Sequence, residues 1–510
     1  MFGIPTRRIR IAVQGLVFAL WVGLILAAHY PLDSWLARHV PVSFFLRIDP
    51  LVATVVNGGL RMAVTITFLG FFTALVSIVL GRVFCGWVCP LGAIFDMYGW
   101  VLRRLRAPTG GPSPSWFRLK YYLLLAILLF AAFGAVSPLM GLDPIVLLTR
   151  VAAAVVQPFW RNRDHLTWVA GQAPGKSGYA FDALTLFLFL GIMAATTKLS
   201  RIWCRTVCPL GAYLAVLSRH AVLRRETSGC IQCGLCAQAC PTGTIDFKDA
   251  TRYNESECIK CFVCSQECPV EANFFEFKNP LPAFTPTYAP VELGRREFLG
   301  TAAAAVVAAP MMNLSGGTPN SHKTLLRPPL SRDEHDFLTS CIRCEECIKS
   351  CPTGILKPAP LEHGLRALWS PVMIPSEGFC MEGCNACSQA CPTDAILKYP
   401  IEQKYSFKAG TAVFSTANCI SYTENKFCNE CVKVCPTDAI LIEKGWEPAN
   451  GMQGSSDQPA PAGQTPTRPT AVSFDRCVAC GHCEFVCNQI VPGEVAMLTT
   501  SFGRAFPTKL

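Results

Sequence analysis

Cysteine is the residue type that carries chemistry in this 510-residue chain: there are 28, and all fall into two kinds of spacing. Cys230, Cys233, Cys236 and Cys240-Pro241 form a C-x2-C-x2-C-x3-C-P run, repeated by Cys258, Cys261, Cys264 and Cys268-Pro269. Four further groups lie in the last third. Cys341, Cys344, Cys347 and Cys351 keep the spacing. Cys380, Cys384, Cys387 and Cys391 carry one extra residue in the first gap. Cys419, Cys428, Cys431 and Cys435 lengthen that gap further. Cys477, Cys480, Cys483 and Cys487 keep it, but Asn488 replaces the proline. Three closely spaced thiolates wrap one inorganic core in a single loop, and the fourth begins the next element and reaches the neighbouring core. Six such groups predict six [4Fe–4S] clusters. In the first pair, Cys230, Cys233 and Cys236 join Cys268, while Cys258, Cys261 and Cys264 join Cys240. For the four later groups, pairing in sequence and nested pairing both fit. A longer gap only enlarges a ligand loop, and proline is not a ligand. Neither a disulfide framework nor zinc sites require this arithmetic.

The remaining thiols, Cys85, Cys89, Cys204 and Cys208, form two CxxxCP pairs inside a duplication. Residues 82–93 read RVFCGWVCPLGA and residues 201–212 read RIWCRTVCPLGA. Asp49-Pro50-Leu51-Val52 is matched by Asp143-Pro144-Ile145-Val146. Three readings of the CxxxCP thiols stand side by side: structural thiols at helix-end turns, a redox dithiol, or ligands to a further metal or cluster.

These thiols must be positioned by apolar elements. Hydrophobic residues make up 51% of the chain and charged residues 16%, which is too apolar for a purely soluble protein. Four stretches, 11–29, 62–80, 121–139 and 181–197, approach the ~20 residues needed to span a bilayer. The fold class expected is a membrane α-helical bundle of four spans in two parallel repeats, with a fifth signal-anchor helix, joined to α+β ferredoxin domains. Fifteen Lys and Arg flank one side of the four spans and seven the other, so the N-terminus and residues 198–290 are placed in the cytoplasm. The stretches after Asp-Pro are too short to span and read as helices at or dipping into the outer interface, where Asp49 and Asp143 stand as helix-start turns or as part of a quinol or docking site. The net charge of +10 sits mostly beside apolar segments, with no basic patch for nucleic acid.

Four domains follow: a membrane domain (1–225), a ferredoxin domain (226–278) with a short strand pair near residues 244–247, a linker and signal or anchor (279–315), and an outer four-cluster domain (316–510). Residues 279–292 are proline-rich and extended. Arg295-Arg296 before an apolar stretch resembles a twin-arginine export signal, which places the last domain in the periplasm. Residues about 447–470 read as a surface insertion.

On these motifs, residues 1–290 resemble the NapH/MauN family and residues 291–510 the NapG/MauM family, fused in one chain. The resemblance implies a quinol-oxidising electron-transfer component of the bacterial inner membrane. Its partners would be lipid and the quinol pool on one side, and a periplasmic reductase or c-type cytochrome on the other. The competing class is a redox-active assembly or sensing factor for a metalloenzyme. No catalytic residue beyond the cysteines is legible, and no haem or flavin motif occurs.

Overall fold

The structure is a computed structural model that describes residues 6–28, 34–60, 68–104, 115–134, 136–156, 183–278, 293–315, 325–444, 467–502 and 504. Its first half is helical. Helix α1 (Thr6–Ala27) is unbroken over 22 residues, about 33 Å at 1.5 Å per residue, and apolar beyond Arg10 apart from Gln14. Among the described residues, it is the one helix long and apolar enough to cross a membrane by itself; Trp35–Arg47 and Pro50–Gly59 together make a second candidate, bent by 78°.

The other three expected spans appear as shorter helices. Helix α2 (Pro50–Leu60) precedes α3 (Phe68–Leu80), and residues 62–67 of that expected span lie outside the described residues. Helix α4 (Pro90–Arg104) follows the first CxxxCP. Helix α5 (Leu119–Ala132) stops short of the expected 139, because the chain turns at Gly134, with φ of 71°, and Pro138 opens a 3-10 turn. Helix α6 (Pro144–Val151), α7 (Ala183–Thr196) and α8 (Pro209–Leu217) repeat α2, α3 and the start of α4. Phe68, Phe72 and Leu75 of α3 and Phe187 and Leu190 of α7 face outward, as suits an apolar surrounding.

Of the two placements expected for the helices after Asp-Pro, at the interface or dipping in from it, the burial of both helices favours the second. Leu51, Val52, Val55 and Val56 of α2 and Ile145, Val146, Leu147 and Leu148 of α6 are buried in the central core. An apolar run too short to span is accommodated by wrapping longer helices around it. Asp49 and Asp143 are wholly buried, and each accepts two amides of its own helix: Leu51 at 2.8 Å and Val52 at 3.3 Å, Ile145 at 2.9 Å and Val146 at 3.3 Å. They are N-caps that satisfy otherwise orphaned N–H groups.

Each ferredoxin unit is closed by short antiparallel pairs. Strand β1 (Leu223–Thr227) pairs with β2 (Asn273–Phe277), Leu223 opposite Phe277. The strand pair expected near 244–247 is reduced to one bridge, Ile245 to Tyr253; the unit is closed by its flanks instead. Helix α9 (Arg295–Ser315) packs Ala305 and Ala309 against Phe130 of α5, with Gly294 N–H donating to the Tyr122 hydroxyl at 3.2 Å. In the last third, β3 (Leu356–Pro358) pairs with β4 (Pro371–Met373) and β5 (Thr411–Phe414) with β8 (Met497–Thr500). Strand β6 (Ile440–Lys444) pairs with β7 (Thr467–Val472). The expected insertion is therefore shorter than read, since residues 467–470 belong to β7; residues 445–466 lie outside the described residues.

The two ferredoxin units sit at opposite ends of α5. Glu257 of the first meets Lys120 at 2.6 Å, at the start of α5. Arg343 of the second donates to the Val136 carbonyl at 2.8 Å, just beyond its end.

Candidate functional site

None of the 28 cysteines is disulfide-bonded. In the four groups with standard spacing, the residues before and after the second cysteine take positive φ: Gln232 and Gly234, Lys260 and Phe262, Arg343 and Glu345, Ala479 and Gly481. Alternating hands curl successive amides toward one point and make an anion-binding nest. Six of those eight residues are not glycine and bear the cost of a left-handed conformation. A four-thiolate cluster, an anion, is the group such a loop suits. In the two groups with a lengthened first gap, Asn385 and Asn429 follow the second cysteine at φ of −128° and −132°; the extra residues let those loops close without that strain.

Proximity of the thiols sorts them. Cys264 lies with Cys258, Cys261 and Cys240. Cys347 has Cys341, Cys344 and Cys391 beside it, and Cys387 has Cys380, Cys384 and Cys351. Cys431 neighbours Cys419, Cys428 and Cys487; Cys483 neighbours Cys477, Cys480 and Cys435. The open choice is thus decided in favour of pairing in sequence. Cys419, Cys428, Cys431 and Cys487 together line one pocket. The two outer pairs join at their second and fourth groups: the Cys380 amide donates to the Cys480 carbonyl at 2.7 Å, and Phe379 stacks on His482 at 3.8 Å. The outer groups therefore run from the helical bundle in the order Cys341, Cys380, Cys477, Cys419, each named by its first cysteine.

Burial pushes the thiols of Cys258, Cys384 and Cys480 up to about 12. Without a cation at the centre, such groups stay protonated; bound iron is what would hold them as thiolates. Cys240 is the exception. Burial pushes it up, but the hydroxyl and amide of Thr244 and those of Thr242 outweigh this and hold it below the ordinary thiol range.

The CxxxCP thiols converge inside the bundle. Cys85, Cys89, Cys204 and Cys208 are all buried in the central core. Cys89 is close to Cys85 and Cys204, and Cys208 to Cys204 and Cys85. Cys208 caps α8, its sulfur accepting the Gly211 amide at 3.1 Å. Two buried arginines stand where the repeats meet. Arg201, from the second copy, donates to the Cys85 carbonyl at 3.0 Å and the Gly92 carbonyl at 3.1 Å of the first, and pairs with Asp96 at 2.7 Å. Arg82, from the first copy, lies beside Gly211 of the second, where a Cβ would sit 2.9 Å from its Nη2, and pairs with Glu257 at 2.5 Å. Asp96 also takes Arg10, and Glu257 also takes Lys120. Each carboxylate thus serves two cations, leaving one surplus positive charge at each. Sequence reasoning missed these arginines, although both open their copies of the repeated motif, a position where identity across a duplication is a signal.

On the opposite side, Ile342 and Cys344 of the first outer group enter the same core as the CxxxCP thiols. On the near side, Ile259 and Cys261 do so. The thiol centre stands between the two ferredoxin units. Among the described residues, no three His, Cys, Asp or Glu side chains are arranged for a single metal ion.

Comparison with known proteins finds iron–sulfur families along most of the chain. A family described as "4Fe-4S binding domain" matches residues 62–108 and 181–227, the two copies of the repeat. One described as "4Fe-4S dicluster domain" matches 229–272 and 379–439. A second dicluster family matches 426–492, and a 4Fe-4S binding family matches 341–355. Ferredoxin-type protein NapG of Escherichia coli K12 is 32% identical over 201 residues, 38% of this chain and 81% of that protein. The chain belongs to the NapG family of ferredoxin-type proteins. It also has a NapH-type half. Ferredoxin-type protein NapH of E. coli K12 is 28% identical over 227 residues, 43% of this chain and 68% of that protein. Methylamine utilization ferredoxin-type protein MauN of Methylobacillus flagellatus is 25% identical over 223 residues, 43% and 68%. A NapH-type and a NapG-type ferredoxin are fused in one polypeptide. No solved structure matches.

Proposed function

We propose that this chain passes electrons from membrane quinol, through its inner and then its outer ferredoxin unit, to an acceptor in the periplasm such as a nitrate reductase system. The observation that carries the reading is the placement of two ferredoxin units at opposite ends of one helical bundle, with four thiols between them. The clusters, when bound, each take and give one electron. The protein's part is to hold the thiol groups in an unbroken row.

The break in that row, across the bundle, is filled by Cys85, Cys89, Cys204 and Cys208. Each repeat copy supplies only two thiols, so the iron–sulfur description that both copies match is met only if they pool their ligands. A four-thiolate cluster is a net dianion, and the two surplus positive charges held at Asp96 and Glu257 offset it. The bundle is read as embedded in the bacterial inner membrane with four spans. The first ferredoxin unit then faces the cytoplasm, and α9 carries a twin-arginine signal as a fifth anchor. The outward apolar faces of α3 and α7 support that reading. The Cys-ligated cores number six in the ferredoxin units and a seventh in the bundle.

Redox-titrated EPR on the anaerobically purified full chain tests this. A menaquinol or ubiquinol analogue should reduce the outer clusters. In Cys208→Ser the inner clusters should still be reduced by quinol while the outer ones stay oxidised. Outer clusters of that variant reducing at the wild-type rate would remove the bundle thiols from the path.

A further inference from the structure

A cavity of about 440 Å³ opens between α1, α4 and the inner ferredoxin unit, within the range of small-molecule sites. We propose that it binds the quinol headgroup, which assigns a place to the substrate of the function proposed above and rests on that reading. Three features point to this occupant. Phe18 of α1 and Met97 and Trp100 of α4 supply apolar walls. Ile11, Met97 and Trp100 are about half exposed on the outward faces of these helices, so an isoprenoid tail has a way in from lipid. At the inner end stand Gln14, Arg10 and Asp96, a fixed polar set: Gln14 donates to the Gly86 carbonyl at 2.9 Å and to Asp96 at 2.8 Å, and Arg201 holds Asp96 from behind. An apolar slot ending in a few placed polar groups is the form such sites take.

The third feature is the wall formed by the ferredoxin unit. Pro241 follows Cys240, and Val263 lies between Cys261 and Cys264; both line the cavity. Those cysteines belong to the thiol group nearer the bundle, so a bound headgroup is separated from that group by one layer of side chains. Oxidation breaks two O–H bonds of the quinol and leaves two C=O bonds in the quinone. The two electrons would go singly to the iron–sulfur cluster that Cys240, Cys258, Cys261 and Cys264 would hold. The two protons leave to water at the ferredoxin-side mouth, marked by the exposed Glu267. Asp49 and Asp143, which the sequence offered as helix-start turns or as part of a quinol or docking site, each use Oδ1 to cap a buried helix and do not line this cavity.

Gly15 also lines the cavity, and a Cβ there meets nothing within 4 Å. A bulky residue at this position occupies the cavity without a backbone clash, and replacing glycine inside a helix does not cost helix propensity. Gly15→Trp is therefore expected to lower the rate of cluster reduction by a menaquinol analogue more than about tenfold, while Gly191→Trp, on α7 away from the cavity where a Cβ likewise meets nothing within 4 Å, keeps the wild-type rate and dithionite reduces every cluster in all three proteins. An azido-quinone should label α1 and α4 in the wild type and not in Gly15→Trp. Wild-type reduction rates in Gly15→Trp, or labelling confined to other helices, would overturn the site and leave quinol oxidation standing. A wild-type chain with full clusters that no quinol analogue reduces would overturn the function itself.

Discussion

Lys404 shows how one residue tunes a centre. Burial lowers its affinity for a proton, but the neighbouring thiols of Cys380, Cys384 and Cys387 outweigh this and hold the ammonium charged. A fixed cation stabilises the more negative, reduced state of a cluster. Lys404→Met is expected to lower the midpoint potential of the cluster held by Cys380, Cys384, Cys387 and Cys351, read by EPR redox titration, with the other potentials in place. Glu334 makes a different use of charge. Burial pushes its carboxyl up, yet Arg327 at 2.7 Å and Arg504 at 3.2 Å outweigh this and hold it below the ordinary range. A depressed carboxylate contributes stability above its unfolded pKa and loses it as pH falls through the folded one. The stability gap between wild type and Glu334→Gln, measured by denaturant unfolding of the outer unit in the full chain, should be constant above about pH 5 and close on acidification. A gap that widens toward acid would contradict the pairing.

At the scale of elements, the loop–helix step after each triplet sets which thiols meet. The short helices Glu346–Ser350 and Ala386–Ala390 end at Cys351 and Cys391, and each delivers its terminal thiol to the other's group. Cys391→Ser should therefore abolish the cluster of Cys341, Cys344 and Cys347 while that of Cys380, Cys384 and Cys387 survives, as counted by EPR and iron analysis. Loss of the second cluster and survival of the first would reverse the assignment. The spacing made every group visible in the sequence, because ligand loops are local. The partner of each later group was not legible, because it depends on which loops pack together. The family match spanning 379–439 joins parts of two pairs and does not decide it either. Helix ends were partly legible: the caps at Asp49 and Asp143 follow from Asp-Pro, whereas the burial of α2 and α6 depends on helices arriving from elsewhere in the chain. Arg82 and Arg201 were quoted within the repeat without a role, since their contacts lie 105 to 175 residues away in sequence.

For the molecule as a whole, direction is the property to test. Helix α9 runs beside α5 from the inner unit to the outer one, so the chain changes ends of the bundle along it. If Arg295-Arg296 opens an export signal, replacing both by lysine should trap the outer unit inside. Protease added to spheroplasts should digest the outer unit of the wild type and spare it in that variant; equal digestion would set the signal aside.

The reach of Arg201 across the duplication has a consequence for assembly. Arg201 closes the CxxxCP turn of the first copy through the Cys85 and Gly92 carbonyls, and each copy brings half of the thiols. Neither copy is therefore a self-sufficient unit, and the two must fold against each other before the four sulfurs can meet.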